Sequence, residues 1–130
     1  MARRVLVVDD EADVRRSIER VLEVSGFQVT AVSDGARALR ALEGDTFDLL
    51  IIDVYMPDMD GLGLMRELRN RGDSTPILAV SGGGDSPHTL DPEGALAVAR
   101  AFGAGVLPKP FTVDELLGAI RPLLDEPAGP

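Results

Sequence analysis

Four short apolar runs in this chain end on residues with chemistry to offer. Val5-Leu6-Val7-Val8 leads into Asp9, Asp10 and Glu11, and Leu49-Leu50-Ile51-Ile52 stops on Asp53. Residues 76–80 stop on Ser81, and Val106-Leu107 leads through Pro108 to Lys109. Runs this short and branched, bounded by polar or turn residues, read as parallel strands buried on both faces. Each functional group then emerges where its strand leaves the core, which in an open α/β sheet is where ligands bind. Carboxylates brought together there repel by about 4 kcal/mol per ionised pair at a separation of about 4 Å and an effective dielectric near 20, and a divalent cation removes that cost. Oxygen donors without His or Cys nearby select a hard ion. Two or three carboxylates plus a backbone carbonyl and water suit Mg2+ better than an all-protein calcium cage. Asp9, Asp10 and Glu11 would equally favour the start of a helix through its dipole, so the acids alone divide evenly between the two readings. Ser81 and Lys109 shift the balance. A carboxylate nucleophile, a metal and a positive clamp are the equipment for phosphoryl transfer onto Asp53, with Lys109 stabilising the charge that the metal leaves.

The elements that must position these groups alternate. From Asp13, the residues Val14, Ile18, Val21 and Leu22 follow helical spacing, and Ser25-Gly26 ends that helix. Residues 27–32 alternate as an edge strand wet on one side would. Ser33-Asp34-Gly35 starts a helix with Ala38, Leu39 and Leu42 on one face, closed by Gly44-Asp45. Residues 56–61 are turn chemistry, Pro57 fixing φ and Gly61 permitting a positive one, before a helix through Leu64, Met65 and Leu68 that Arg71-Gly72-Asp73 ends. Residues 82–90 open with three glycines and show no periodicity. Asp91-Pro92-Glu93 reads as an N-cap with Pro at the first helical position, and Ala95, Val98, Ala99 and Phe102 as that helix's buried face. Thr112 and Glu115 form a capping box for a last helix buried through Leu116, Leu117 and Ile120, with Pro122 kinking or ending it. Five strands alternating with five helices call for an α/β fold with a parallel sheet and right-handed crossovers. Spacing does not decide strand order. A flavodoxin-like, doubly wound order, 2-1-3-4-5, would set the first and third strands side by side and bring Asp9 and Asp10 next to Asp53.

With 130 residues, 45% of them hydrophobic, the chain fits one domain over residues 1–124 and a frayed tail over 125–130. A net charge of −9 argues against direct contact with nucleic acid, which would need clustered Lys and Arg. Without cysteine there is no disulfide framework and no thiolate metal site. The apolar run after residues 1–4 is too short for a signal peptide or a membrane span, so the cytoplasm is the expected location.

VVDDE at residues 7–11, DVYMPDMDG at 53–61, AVSG at 79–82 and Lys109-Pro110-Phe111-Thr112 together resemble the receiver domain of two-component response regulators, in the family's order and over residues 5–124. The resemblance implies Asp53 as phosphoacceptor, Asp10 as a direct Mg2+ ligand, and Asp9 acting through water or directly. It further implies the Tyr55 backbone carbonyl as a ligand, Ser81 as the switch hydroxyl and Lys109 as the phosphoryl-binding cation. The Lys109-Pro110 bond is often cis in the family, since X-Pro bonds lose little by it. The implied partners are a sensor histidine kinase or histidine phosphotransfer protein as donor and a downstream protein target. That target would meet the face built from the fourth and fifth helices and the last strand. Such a domain catalyses its own aspartyl phosphorylation and dephosphorylation without being a metabolic enzyme. Because the sequence stops shortly after the last helix, a stand-alone, chemotaxis-regulator-like receiver is expected in preference to a transcription factor, although residues 125–130 would serve equally as the start of a linker in a larger regulator. A monomer is expected, a phosphorylation-dependent dimer is left open, and no membrane contact is implied.

Four positions depart from the family pattern. Val106 stands where an aromatic usually swings inward, and a small β-branched side chain cannot make that excursion. The loop after Ser81 is several residues longer than usual, which reads first as a tolerated surface insertion. Pro108 replaces a hydrogen-bonding residue, consistent with an edge strand ending early. Tyr55 is bulkier than the Asn common at its position. Two readings from other classes compete with the receiver. A Mg2+-dependent phosphohydrolase would need a substrate pocket and an acid where Tyr55 stands. A phosphorylation-independent interaction module would suit Val106, but the retention of Asp9, Asp10 and Lys109 opposes it. His88 reads as a solvated loop residue, Arg15-Arg16 as an exposed helix face, and Met56 and Met59 as packing. Because the Tyr55 ring would obstruct attacking water, Tyr55→Asn is expected to shorten the phosphoryl lifetime on Asp53. The decay of phosphoprotein measured in both proteins checks this, and equal lifetimes would refute it.

Overall fold

The branched runs become one parallel sheet in the computed structural model, which describes residues 2–54, 61–81 and 92–125. The strands are β1 (Arg4–Val8), β2 (Gln28–Val32), β3 (Leu49–Asp53), β4 (Ile77–Ser81) and β5 (Gly105–Pro108). Between and after them lie α1 (Ala12–Val24), α2 (Gly35–Gly44), α3 (Gly61–Asn70), α4 (Pro92–Ala101) and α5 (Val113–Asp125). The strand order is β2-β1-β3-β4-β5, and each neighbouring pair is parallel. This is the doubly wound, flavodoxin-like order that sets the first and third strands side by side.

Side chains that alternate along a strand point to opposite faces, so the continuous apolar runs feed two cores. On one face α1 and α5 bring Ile18, Leu22, Leu116 and Ile120 against Val5, Val7, Ile51 and Val80. On the other, α2, α3 and α4 bring Ala38, Leu64, Met65, Leu68 and Ala99 against Leu6, Val8, Leu50 and Ala79. Every residue of β3 and of β4 is buried. A fully buried Leu or Ile contributes about 1.5–3 kcal/mol, which lets the core hold each strand end rigid even where that end carries a charge or a hydroxyl.

Local sequence sets the element ends. Gly26 has φ +98, a left-handed conformation that closes α1. The Thr112 amide donates to Glu115 Oε1 at 2.9 Å and the Glu115 amide to Thr112 Oγ1 at 3.0 Å, the expected capping box. The Asp34 carboxylate accepts from the Arg37 amide at 2.8 Å at the start of α2.

Several expectations are corrected. β2 has no wet face: only Gln28 is exposed, and its other residues are half-buried, because Val29 and Ala31 pack into one core and Val32 into the other. Pro122 neither ends nor breaks α5, which runs on to Asp125, and Leu123 and Leu124 beyond it pack against the core and hold the last turn. In α4, Ala99 is buried while Val98 is 37% exposed, since adjacent helical positions are turned about 100° apart. The Ala95 side chain, the Asp91 cap and the loop over 82–90 lie outside the described residues. Pro108 is the last residue of β5 itself, tolerated because that strand is an edge.

Gly61 is required by space and not by φ. It takes no positive φ. A Cβ there would meet the Asp53 carbonyl oxygen and lie 2.6 Å from the Val54 Cα and 2.7 Å from the Asp53 carbonyl carbon.

Two predictions follow from these contacts. Gly61→Ala is expected to destabilise by about 1–3 kcal/mol through overpacking. Gly118→Ala, in α5 with nothing within 4 Å of the added methyl, is expected to stabilise by about 0.5–1 kcal/mol. Urea melts of the two variants check the opposite signs. Asp34→Ala should cost about 1 kcal/mol at neutral pH. The backbone hydrogen bond from Arg37, and then the Arg37 side chain, lower the Asp34 pKa. The cap therefore stabilises above the ordinary aspartate value near pH 4 and is lost as pH falls through the lower folded value. Melts of both proteins across that window should show the difference shrinking toward acid.

Candidate functional site

Strand register brings the chemistry together. Val8 pairs with Ile52 across β1 and β3, so Asp9, the next residue, comes up beside Asp53 at the end of β3. One carboxylate oxygen each from Asp9, Asp10 and Asp53 lies within 4.8 Å of the others. Asp9 and Asp53 are buried, 1% and 2% exposed, while Asp10 is exposed. Lys109 comes from the far edge of the sheet to stand between the two buried acids. Its Nζ lies 3.0 Å from Asp9 Oδ2 and 3.4 Å from Asp53 Oδ2.

Each member is fixed by main-chain bonds as well. The Asp9 amide donates to Val32 O at 3.2 Å, and Asp9 Oδ1 accepts from the Glu11 amide at 2.9 Å. The Val54 amide donates to Val80 O at 2.9 Å, tying the exit of β3 to β4. Ser81, buried at the end of β4, faces Pro108 in register, and its carbonyl accepts from the Lys109 amide at 2.8 Å. The serine and the lysine are thus tied through one backbone hydrogen bond. The Lys109-Pro110 bond is cis. Val106 is half-buried and packs into the core shared with α3 and α4.

Burial is the largest single influence on Lys109 and would lower its pKa. The charges of Asp53, Asp9 and Glu11, with the hydrogen bond to Asp9, outweigh it and raise the value above that of an ordinary lysine. Lys109 is therefore an ammonium at neutral pH. Three carboxylates and one ammonium leave two negative charges in this cluster, and the donor set is oxygen only. That charge and those donors fit a hard divalent ion. Among the described residues no buried side-chain polar atom lacks a partner, so Asp9 and Asp53 are held in place without it.

Of the residues singled out in the sequence, Asp9, Asp10, Asp53, Ser81 and Lys109 converge at this edge. Tyr55, Met56, Met59 and His88 lie outside the described residues. One participant was missed. Arg15, read as an exposed helix position, is half-buried, and its Nη1 donates to the Asp9 backbone carbonyl at 2.7 Å. The available signal was its place in the first turn of α1, four residues after Glu11, whose carbonyl accepts the Arg15 amide at 2.9 Å. Beside the cluster an open cleft of about 570 Å³ is lined by Glu11, Val14, Ile18, Lys109, Pro110 and Phe111, among others. Among the described residues no helix is long and apolar enough to cross a membrane.

Comparison with known proteins agrees with this geometry. Residues 5–121 match the response regulator receiver domain. The response regulator MprA of Mycobacterium ulcerans is 40% identical over 124 residues, covering 95% of this chain and 51% of that protein. The chain therefore spans about half the length of the curated relatives it matches. Among solved structures, the chemotaxis protein CheY4 of Vibrio cholerae is 31% identical with a TM-score of 0.80, covering 95% of this chain and 100% of that one. NtrX of Brucella abortus is 29% identical with a TM-score of 0.84, over 97% of this chain and 28% of its own. By its matched sequence, its strand order and the acids and lysine at its sheet edge, this chain belongs to the response regulator receiver domain family of two-component signalling.

Proposed function

We propose that this receiver accepts a phosphoryl group on Asp53 from a phosphohistidine, on a sensor histidine kinase or a histidine phosphotransfer protein, in a Mg2+-dependent reaction. The observation that carries the proposal is the Lys109 ammonium set between Asp9 and Asp53, with Asp10 alongside and two negative charges left over. Asp9, Asp10 and Asp53, with the Tyr55 carbonyl that the family pattern adds, would hold the ion. When bound, it supplies neutralisation of the phosphoryl oxygens.

The protein's own groups do the rest. An Asp53 carboxylate oxygen attacks phosphorus in line, the P–N bond of the donor breaks, and the imidazole leaves with its electron pair. Lys109, already charged and 12% exposed at its side chain, shifts its hydrogen bond from the Asp53 carboxylate to a phosphoryl oxygen without crossing solvent. The Ser81 hydroxyl donates to a second oxygen. In dephosphorylation water attacks phosphorus, the O–P bond to Asp53 breaks with its electron pair returning to the restored carboxylate, and inorganic phosphate leaves with the water's oxygen while a proton passes to solvent. The receiver thus promotes its own phosphorylation and dephosphorylation.

Because the Lys109 amide is bonded to the Ser81 carbonyl, a shift at either residue is carried into both β4 and β5. The output in this reading is an altered affinity of the face formed by α4, β5 and α5 for a protein target, a bias applied to an existing two-state element. Val106, half-buried and small, does not carry an aromatic-type swing, so the β4–β5 ends carry it instead. We take residues 1–124 as the receiver unit, in a cytoplasmic, monomeric protein.

The test is intact mass after incubation with MgCl2 and a small acyl phosphate, beside samples with EDTA and with Asp53→Asn. Gain of one phosphoryl group in the first sample alone is the expected result. No gain in any sample of folded protein would overturn the proposal in favour of a phosphorylation-independent interaction module.

A further inference from the structure

Among the three acids of the cluster, Asp10 is the one that the rest of the protein does not hold by its side chain. Asp9 and Asp53 are buried and paired with Lys109. Asp10 is exposed, and among the described residues its carboxylate has no hydrogen-bond or ion-pair partner. Its direction is therefore set by the main chain. The peptide plane that joins Asp9 to Asp10 contains the Asp9 carbonyl, and rotating that plane would swing the Cα–Cβ bond of Asp10. Arg15 Nη1 donates to that carbonyl at 2.7 Å. Arg15 is itself anchored by its place in the first turn of α1, and the amide on the other side of Asp9 is bonded to Val32.

We propose that Arg15 is a positioning residue for the Mg2+ site, acting through the Asp9–Asp10 peptide plane to hold Asp10 toward Asp9 and Asp53. The inference rests on the Mg2+ reading above and adds to it a residue that touches neither the ion nor the phosphoryl group. Its physical content lies in a sign. A cation beside three carboxylates lowers their attraction for Mg2+, so charge alone makes removal of Arg15 tighten binding. Loss of positioning makes the same removal weaken it. Residues that hold a ligand from behind typically change metal affinity by about 10–100-fold when replaced, and the charge of a half-buried guanidinium is screened in part by solvent and salt. Weakening should therefore win.

Four proteins separate the two effects: wild type, Arg15→Met, Arg15→Lys and Arg16→Met. Arg16 is the exposed neighbour on α1, and its replacement removes the same charge without touching the Asp9 carbonyl. Each is titrated with MgCl2 and followed by the amide NMR signals of residues 9–11, with thermal melts in EDTA as the control for folding. Arg15→Met is expected to raise the Mg2+ Kd at least about tenfold and to move or broaden the Asp10 amide before any Mg2+ is added. Arg15→Lys, which keeps a donor, should recover most of the affinity, and Arg16→Met should leave Kd unchanged or lower it. A Kd that is unchanged or lowered in Arg15→Met, as in Arg16→Met, overturns the proposal. Should Arg15→Met not fold, Arg15→Gln decides on the same sign. Wild type that binds no Mg2+ overturns the underlying site together with this inference, an outcome distinct from a loss confined to the Arg15 variants.

Discussion

Two carboxylates, Asp9 and Asp53, are buried at the edge of an otherwise apolar sheet, and the rest of the site depends on the ammonium of Lys109 set between them. Taking a charge out of water costs several kcal/mol even after the protein relaxes. Two like charges side by side would add to that cost. One cation shared between them, at 3.0 and 3.4 Å, offsets part of each, and the apolar contacts of β1 and β3 supply the remainder. The arrangement demands that three strands end at one level. β1 and β3 are neighbours, whereas Lys109 follows β5, two strands away from β3 in the sheet, and its long side chain spans the gap left at the exit of β4.

The same crowding explains the backbone-level supports. Gly61 lets the first turn of α3 close onto the Asp53 carbonyl, where a side chain would displace the strand end. Arg15 holds the Asp9 carbonyl. Both act on peptide groups that flank the acids, so the carboxylates are oriented by main chain and helix starts as much as by side-chain contacts. A site that must keep three acids together without strain is better served by such fixed dipoles and sterics than by flexible partners.

Beyond the site, the link to the face of α4, β5 and α5 is short. The Lys109 amide and the Ser81 carbonyl share a hydrogen bond, and Val106, paired with Ala79 across β4 and β5, packs into the core beneath α4. With a side chain of that size there is no large rotamer change to transmit. Displacement of the paired strand ends is the simplest mechanical route that these contacts leave. The positive-φ glycine at the end of α4, Gly103 at φ +83, and the buried Ala99 hold the far end of that helix to the sheet.

Most of the architecture was legible in the chain because its signals are local. Four-residue branched runs, the capping box at Thr112 and Glu115, and the cap at Asp34 each depend on neighbours within a few positions. The acids, the hydroxyl and the lysine could be named because each follows directly on an apolar run. Where the reading failed, the deciding partner was distant. β2 was expected to be wet on one side, but beyond Gln28 its residues are half-buried, with Val29 and Ala31 packed into one core and Val32 into the other. Pro122 was expected to kink or end α5, but the helix does not end there, because Leu123 and Leu124 find the core beyond it. Gly61 was credited with a positive φ, but its constraint is the approach of β3. Residue types and their order thus determined which groups the protein has and which strand ends carry them. Only the tertiary structure decided that β1 lies beside β3, that Lys109 reaches both acids, and that Arg15 bonds the Asp9 carbonyl, because these depend on strand order and on contacts between residues far apart in the chain, for which no local periodicity carries a signal.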